Sequence, residues 1–145
     1  MVQKFYLDHF IEAQARSYED VLTEIILGKK QTHWIWYIFP IIAGLGKSYK
    51  SQYFALECVE EASAYIDHQL LGARYLECTE MMLSHKNMTA RDVLGRDAWK
   101  FRASLTLFRR STDERSKLKT LERGLQHYFD GRECRNTADL ISKQF

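Results

Sequence analysis

Proline is nearly absent. Pro40 is the only one in 145 residues, so almost no position forbids an α-helix by removing a backbone N–H. Cysteine is scarce as well: Cys58, Cys78 and Cys134 are odd in number and far apart. That excludes a disulfide framework and points to a reducing compartment. No window approaches the roughly 18 uncharged apolar residues that a membrane span requires, so no membrane segment is expected. The opening residues Met1 to Asp8 place an acid where a signal peptide needs an unbroken apolar run, and a cytoplasmic location is expected. The five histidines and three cysteines show no paired ligand spacing, so neither a metal nor a cofactor is expected. Repeats, low-complexity tracts and linkers are missing too.

What is present is ordinary for one globular domain over residues 1–145, with 46% apolar and 28% charged residues. A chain of this size buries about two thirds of its unfolded surface and needs no covalent staples. The net charge of +2 hides an asymmetry. Residues 1–28 carry two bases against five acids, and residues 100–123 carry eight bases against three acids. The bases of the second segment lack the aromatic interleaving of a stacking platform. They are read as a solvated helix face with acidic counterparts elsewhere, and a nucleic-acid partner is not expected.

The hydrophobic period is helical nearly throughout. Phe5, Tyr6, His9, Phe10 and Ala13 mark a first helix. Ser17 is placed to cap a second, with Val21, Leu22, Ile25 and Ile26 as its buried stripe and Gly28 as its left-handed stop. Further helices are expected over 53–66 and 70–84, the latter burying Leu71, Tyr75, Cys78 and Met82 on one face. Thr89 caps a short turn ended by Gly95, and Trp99, Ala103, Thr106 and Leu107 continue an apolar stripe. Leu118, Leu121, Leu125 and Tyr128 form a late helix stopped at Gly131, and Asn136 or Thr137 caps a last one. The expected fold is all-α, a compact single multihelical domain.

One segment concentrates the largest side chains. Thr32-His33-Trp34-Ile35-Trp36-Tyr37-Ile38-Phe39-Pro40 holds two of the three tryptophans and runs into Ala43-Gly44-Leu45-Gly46-Lys47-Ser48. Trp36 and Phe39 are expected to be buried anchors of the core. Gly46-Lys47-Ser48 invites a phosphate-loop reading, but the first glycine of that motif falls on Ile41, Pro40 occupies the approach, and no β runs supply a parallel sheet. The segment reads instead as a tight turn in which Gly44 and Gly46 permit positive φ and Ser48 caps the next helix. His33 beside two tryptophans is a candidate acid–base group. Cys78 on its apolar stripe is a small buried hydrophobe, and Ser104 has neither a glycine elbow nor a triad to activate it.

These residues also carry a resemblance. The tryptophan segment is similar to that of a family catalogued as domain of unknown function 1810, whose members usually read Ser-His-Trp-x-Trp-x-Ile-Phe-Pro-Gln there. The likeness continues through Glu61-Ala62, Ala64-Tyr65, Leu71-Gly72-x-Arg74-Tyr75-x-Glu77-Cys78 and Asp97, then Lys100 to Phe108, and ends near Phe129-x-Gly131. The resemblance implies a multihelical fold and carries no established activity. Some members bear the label calpastatin, a protease inhibitor whose inhibitory segments are disordered and polar. This chain is aromatic-rich and built to bury a core. Two departures stand out: Ile41 replaces the usual glutamine and Ala103 a usual serine. If that glutamine binds a ligand in relatives, Ile41 removes it here.

Three functions compete. The first is a helical module binding a small anionic ligand in a pocket beside His33-Trp34-x-Trp36. Trp34 and Trp36 are the candidate walls, and Arg74, Glu77, Asp97, Arg102 and Ser104 the candidate polar groups, with Arg102 preferred over Lys100 as the anion fork. The second is an enzyme acting on a nucleotide-like or other anionic substrate with His33 as acid–base. The third is a protein–protein interaction module. Convergence of His33, Arg74, Asp97 and Arg102 on one concavity favours the first two readings, and dispersal favours the third.

Overall fold

The computed structural model describes residues 5–144. Residues 1–4, on which the leader reading partly rests, lie outside the described residues. Nine α-helices follow in order among them: α1 Asp8–Leu27, α2 Ile35–Ile38, α3 Tyr49–Tyr53, α4 Val59–Asp67, α5 Gln69–Leu83, α6 Ala90–Leu94, α7 Ala98–Arg109, α8 Arg115–Phe129 and α9 Arg135–Ser142. A 3-10 turn, Gly95–Asp97, joins α6 to α7. The only β pairing described is an isolated parallel bridge between Ile42 and Leu56. The fold is all-α, and no described helix is long and apolar enough to cross a membrane.

Helix α7 is the axle. Phe101 and every residue from Ala103 to Phe108 are buried, the signature of a helix covered on all sides. It packs against α4, α6, α8 and α9, while α5 bridges α1, α4 and α8. Two hydroxyls inside α7 are satisfied locally, as burial demands: Ser104 bonds the Tyr75 hydroxyl at 2.8 Å, and Thr106 accepts the Cys134 amide at 2.8 Å. The stripe Leu71, Tyr75, Cys78 and Met82 is buried as its spacing predicts.

Several boundaries differ from the sequence reading. Helix α1 runs unbroken through Ser17, whose hydroxyl donates to the Ala13 carbonyl and bonds Tyr37. Gly28 ends it at φ 79°. The expected helix over 53–66 is two, because Leu56 leaves the helix to exchange backbone bonds with Ile41 and Ala43. Ser48 caps α3 and Thr89 caps α6, as read. Cys134, not Asn136 or Thr137, precedes α9. Gly44 has φ 102°, but Gly46 needs no positive φ. It is required by closeness, since a Cβ there would lie 2.3 Å from Ser51 Cβ.

The tightest approach is at Gly72, where a Cβ would sit 2.1 Å from the Ile66 carbonyl oxygen. Alanine is the better helix former by about 1 kcal/mol, but the backbone of α4 would have to withdraw, an overpacking penalty of roughly 1–3 kcal/mol or more. Gly72→Ala should therefore be net destabilising by about 2 kcal/mol in urea unfolding. A neutral or stabilised variant would show that the α4–α5 corner yields freely.

Candidate functional site

Thr89 and Asp92 form a reciprocal capping box at the head of α6, and Gly95 closes the helix at φ 60°, ψ −132°, a conformation only glycine adopts readily. The chain then turns sharply into α7. Ala98, Trp99 and Arg102 share one face of α7, at the spacing that brings side chains together on a helix. Arg91 projects from α6 and Arg96 from the turn, while Phe129 joins them from the end of α8. These residues with Gly95 line a groove of about 410 Å³.

Its electrostatics are one-sided. Arg91, Arg96 and Arg102 all line it, no acid does, and none of the three arginines pairs with a carboxylate among the described residues. Arg102 is anchored: its Nε donates to the Arg132 carbonyl at 2.8 Å and its guanidinium lies 5.9 Å from the centre of the Phe129 ring. That fixes the plane of the fork and leaves its terminal nitrogens without an acceptor among the described residues. Elsewhere most bases of the basic segment have acidic partners. Arg109 and Arg110 meet Glu133, Lys117 meets Asp67 and Glu114, and Arg123 meets Glu80.

Other cavities are of similar size but different chemistry. One of about 390 Å³ carries Arg16 and Arg74 against Glu19 and Asp20. Another, of about 310 Å³, holds Arg109 between Glu122 and Glu133. In both, carboxylates line the same cavity as the cations. No three His, Cys, Asp or Glu side chains converge as a metal site among the described residues.

The residues singled out from sequence fall in four places. Trp34 is fully buried, its indole N–H donating to Glu24 at 2.9 Å, so it walls no pocket. Ser104 is likewise sealed, against Tyr75. His33, Trp36 and Asp97 share a surface region. His33 is exposed, its ring 6.5 Å from Trp36, and Lys50 and Lys100 lie over the Trp36 ring at 5.1 and 5.5 Å. Asp97 is held by Lys30 at 3.0 Å and Lys100 at 3.4 Å. Lysine stems and cation–π contacts cover this face, and none of the cavities described is lined by His33, Trp36 or Asp97.

Arg74 and Glu77 belong to a third place, between α1 and α5. The Tyr18 hydroxyl donates to Glu77 at 2.5 Å, Arg74 stacks on the Tyr18 ring at 4.5 Å and reaches Gln14 at 3.4 Å. Cys78 lies behind them, its thiol pushed up to about 12 chiefly by burial, which makes it inert at neutral pH. Arg102 alone lines the basic groove, on a different side of α7 from Lys100.

The dispersal is partial: the His33 segment does meet Asp97 and Lys100 at the surface, but without Arg102 or Ser104 and without a described cavity. It also exposes what the sequence reading missed. Arg91, Arg96, Trp99 and Phe129 join Arg102 only because α6, α7 and α8 meet at one corner. Trp99 was expected on the core stripe but is 46% exposed. The spacing gave no clear signal, since Trp99 keeps phase with the buried Ala103 and Thr106 just as Phe101 does with Leu105 and Phe108. Glu24 was missed as well. It falls on the Val21–Ile25 stripe, where an acid requires a buried set of partners. Trp36 is half-buried, so the core anchors of the tryptophan segment are Trp34 and Phe39. Ile41 is 5% exposed and lies beneath the Gly46 turn, a core residue where relatives are expected to carry glutamine.

Comparison with known proteins agrees with the likeness carried by the tryptophan segment. Residues 4–141 match the family described as protein of unknown function (DUF1810). The crystal structure of the conserved hypothetical protein Rv1873 from Mycobacterium tuberculosis is similar at 35% identity and a TM-score of 0.89, over 93% of this chain and 95% of that one. Among curated proteins none matches. With nearly its whole length matched in sequence and in backbone, the chain belongs to the DUF1810 family of proteins of unknown function.

Proposed function

We propose that this protein is a cytoplasmic binding module for a small anion, held in the groove between α6, α7 and α8. The observation that carries the reading is a concavity with three arginines and no carboxylate. Like charges are brought together at a cost unless a counter-charge completes the set, and guanidinium forks are suited to bidentate capture of phosphate or carboxylate. The three free cysteines fit a reducing compartment. The enzyme reading is weaker, because His33 stands apart from the groove and only arginines supply titratable groups there. The dispersal of His33, Arg74, Asp97 and Arg102 favours the interaction reading, as do the exposed and mutually stacked Tyr49 and Tyr53 beside His9 and Tyr6. The anion reading is preferred because it rests on a different set of residues, the arginine groove.

The test is titration calorimetry with inorganic phosphate, pyrophosphate and dicarboxylates. The parent should bind at least one of them, and a bound anion at a hundredfold its Kd should add about 2.7 kcal/mol of apparent stability. Arg96→Ala and Arg102→Ala should each weaken binding about tenfold, the scale of one lost charge-assisted contact, while His33→Ala should leave it unchanged. Equal affinity in both arginine variants, with the helical signal intact, would move the site away from this groove.

A further inference from the structure

We infer that the groove takes a nucleoside phosphate, its phosphates on the arginines and its base on Trp99. This rests on the anion reading and adds a substrate class to it. The added observation is aromatic. Trp99 stands in the first turn of α7 with nearly half its surface in water, although Phe101 and Ala103 to Phe108 of the same helix are buried. Its ring meets Lys100 at 5.8 Å and packs into no other ring within the described residues. Phe129 lines the groove as well. A large apolar ring left half in water beside uncompensated cations is a poor scaffold but a good platform for a planar, anionic ligand.

Three further facts narrow the class. The groove is about 410 Å³, within the range of roughly 300–1,000 Å³ typical of small-molecule sites. Three arginines exceed what a single carboxylate needs and suit a phosphate or diphosphate carrying two or more charges. At Gly95, nothing lies within 4 Å of where a Cβ would stand, so the backbone of the turn is bare to a ligand. Every charged side chain in the lining is a guanidinium, and the Trp99 indole N–H is a donor only. The groove therefore offers donors and stacking but no side-chain acceptor for a base amino group. Discrimination between bases should follow the area of the π-face, purine before pyrimidine. A single nucleotide is favoured over a nucleic-acid strand because the three arginines line one concavity of about 410 Å³ rather than a continuous track, and Lys30, Lys100, Arg109 and Arg110 are paired to acids.

The experiment compares pyrophosphate, ADP and UDP by calorimetry on the full chain, with Trp99→Leu as the informative variant. Trp99 is exposed enough that this change should leave the fold intact, which circular dichroism checks. ADP should bind about tenfold or more tighter than pyrophosphate, as stacking of a base on an aromatic side chain provides, with UDP between them. Trp99→Leu should abolish that advantage and leave the pyrophosphate affinity unchanged, whereas Arg102→Ala should weaken all three alike. Equal binding of ADP and pyrophosphate would overturn the nucleotide inference and leave the anion reading standing. Binding of none of the three, or of phosphate and dicarboxylates either, would remove both. An ADP advantage that survives Trp99→Leu would overturn the stacking assignment. A single-stranded oligonucleotide bound a hundredfold tighter than ADP would overturn the choice of a mononucleotide.

Discussion

Glu24→Gln should lower the unfolding free energy by about 3 kcal/mol at neutral pH, and the deficit should shrink as the solution is acidified. Glu24 is a carboxylate 8% exposed inside α1. One oxygen accepts the amides of Gln31 and Thr32 at 2.6 and 2.9 Å and the Trp34 indole at 2.9 Å, and the other accepts the Thr32 hydroxyl at 2.6 Å. Burial, the largest single influence, pushes its pKa upward. The Thr32 hydroxyl and amide, the Gln31 amide and the Trp34 indole together outweigh it and hold the group at about 2, against an ordinary 4.5. A depressed carboxylate contributes stability that is complete above its unfolded pKa and is lost as pH falls through the folded one. That depression corresponds to about 3 kcal/mol. By pH 3 about half of it should be gone, because the unfolded parent, with the ordinary pKa of 4.5, takes up the proton well before the folded one does. Urea unfolding of both proteins at several pH values reads this directly. A gap that stays constant from pH 7 to pH 3 would mean that shape, not charge, makes the clamp.

Trp34→Ala should be at least as damaging, at about 3–5 kcal/mol, the range for large aromatic truncations in a packed core. Trp34 is 0% exposed, packs 6.4 Å from Phe39, and through Phe39 reaches Phe101 at 4.5 Å and Tyr75 at 5.5 Å. Its loss also leaves a Glu24 oxygen short of one donor. Against a total stability of roughly 5–15 kcal/mol for a domain, the variant should be barely folded at 37 °C. Trp36→Ala is the comparison. That ring is half-buried beneath Lys50 and Lys100 and should cost clearly less. If the two truncations proved equal in urea, the distinction between anchor and cover would be wrong. Because Trp34 and Glu24 share a bond, the two changes should also couple, and the double variant should lose less than the sum.

Some of this was legible before any fold was known. Caps and stops are local chemistry. Ser48, Thr89 and Gly28 need only a neighbouring amide or a free φ, and each acts where the sequence placed it. Long periodic stripes are equally local, which is why Leu71, Tyr75, Cys78 and Met82 share a buried face as spacing predicts. Failures came where two local preferences competed. Ser17 has the chemistry of a cap, but no turn residue interrupts the helix and its hydroxyl bonds Ala13 and Tyr37 instead. Tyr53 and Leu56 continue a helical pattern, yet Leu56 pairs with Ile41 and Ala43 across the tryptophan segment.

What the sequence by itself determined is the class of the molecule: an all-α chain whose core includes its one aromatic-rich segment, in the family to which that segment points. Composition and period suffice for that, since both are summed over many residues and no single contact decides them. Only the tertiary structure decided which tryptophan anchors the core. Trp34 and Trp36 lie two apart and differ in what packs over them, and that follows from Glu24, ten residues before Trp34. The groove was decided the same way. Arg91, Arg96, Trp99, Arg102 and Phe129 stand up to 38 residues apart in the chain. They share a site because α6, the 3-10 turn, α7 and the end of α8 meet at one corner, and no periodicity within a single helix encodes such a meeting.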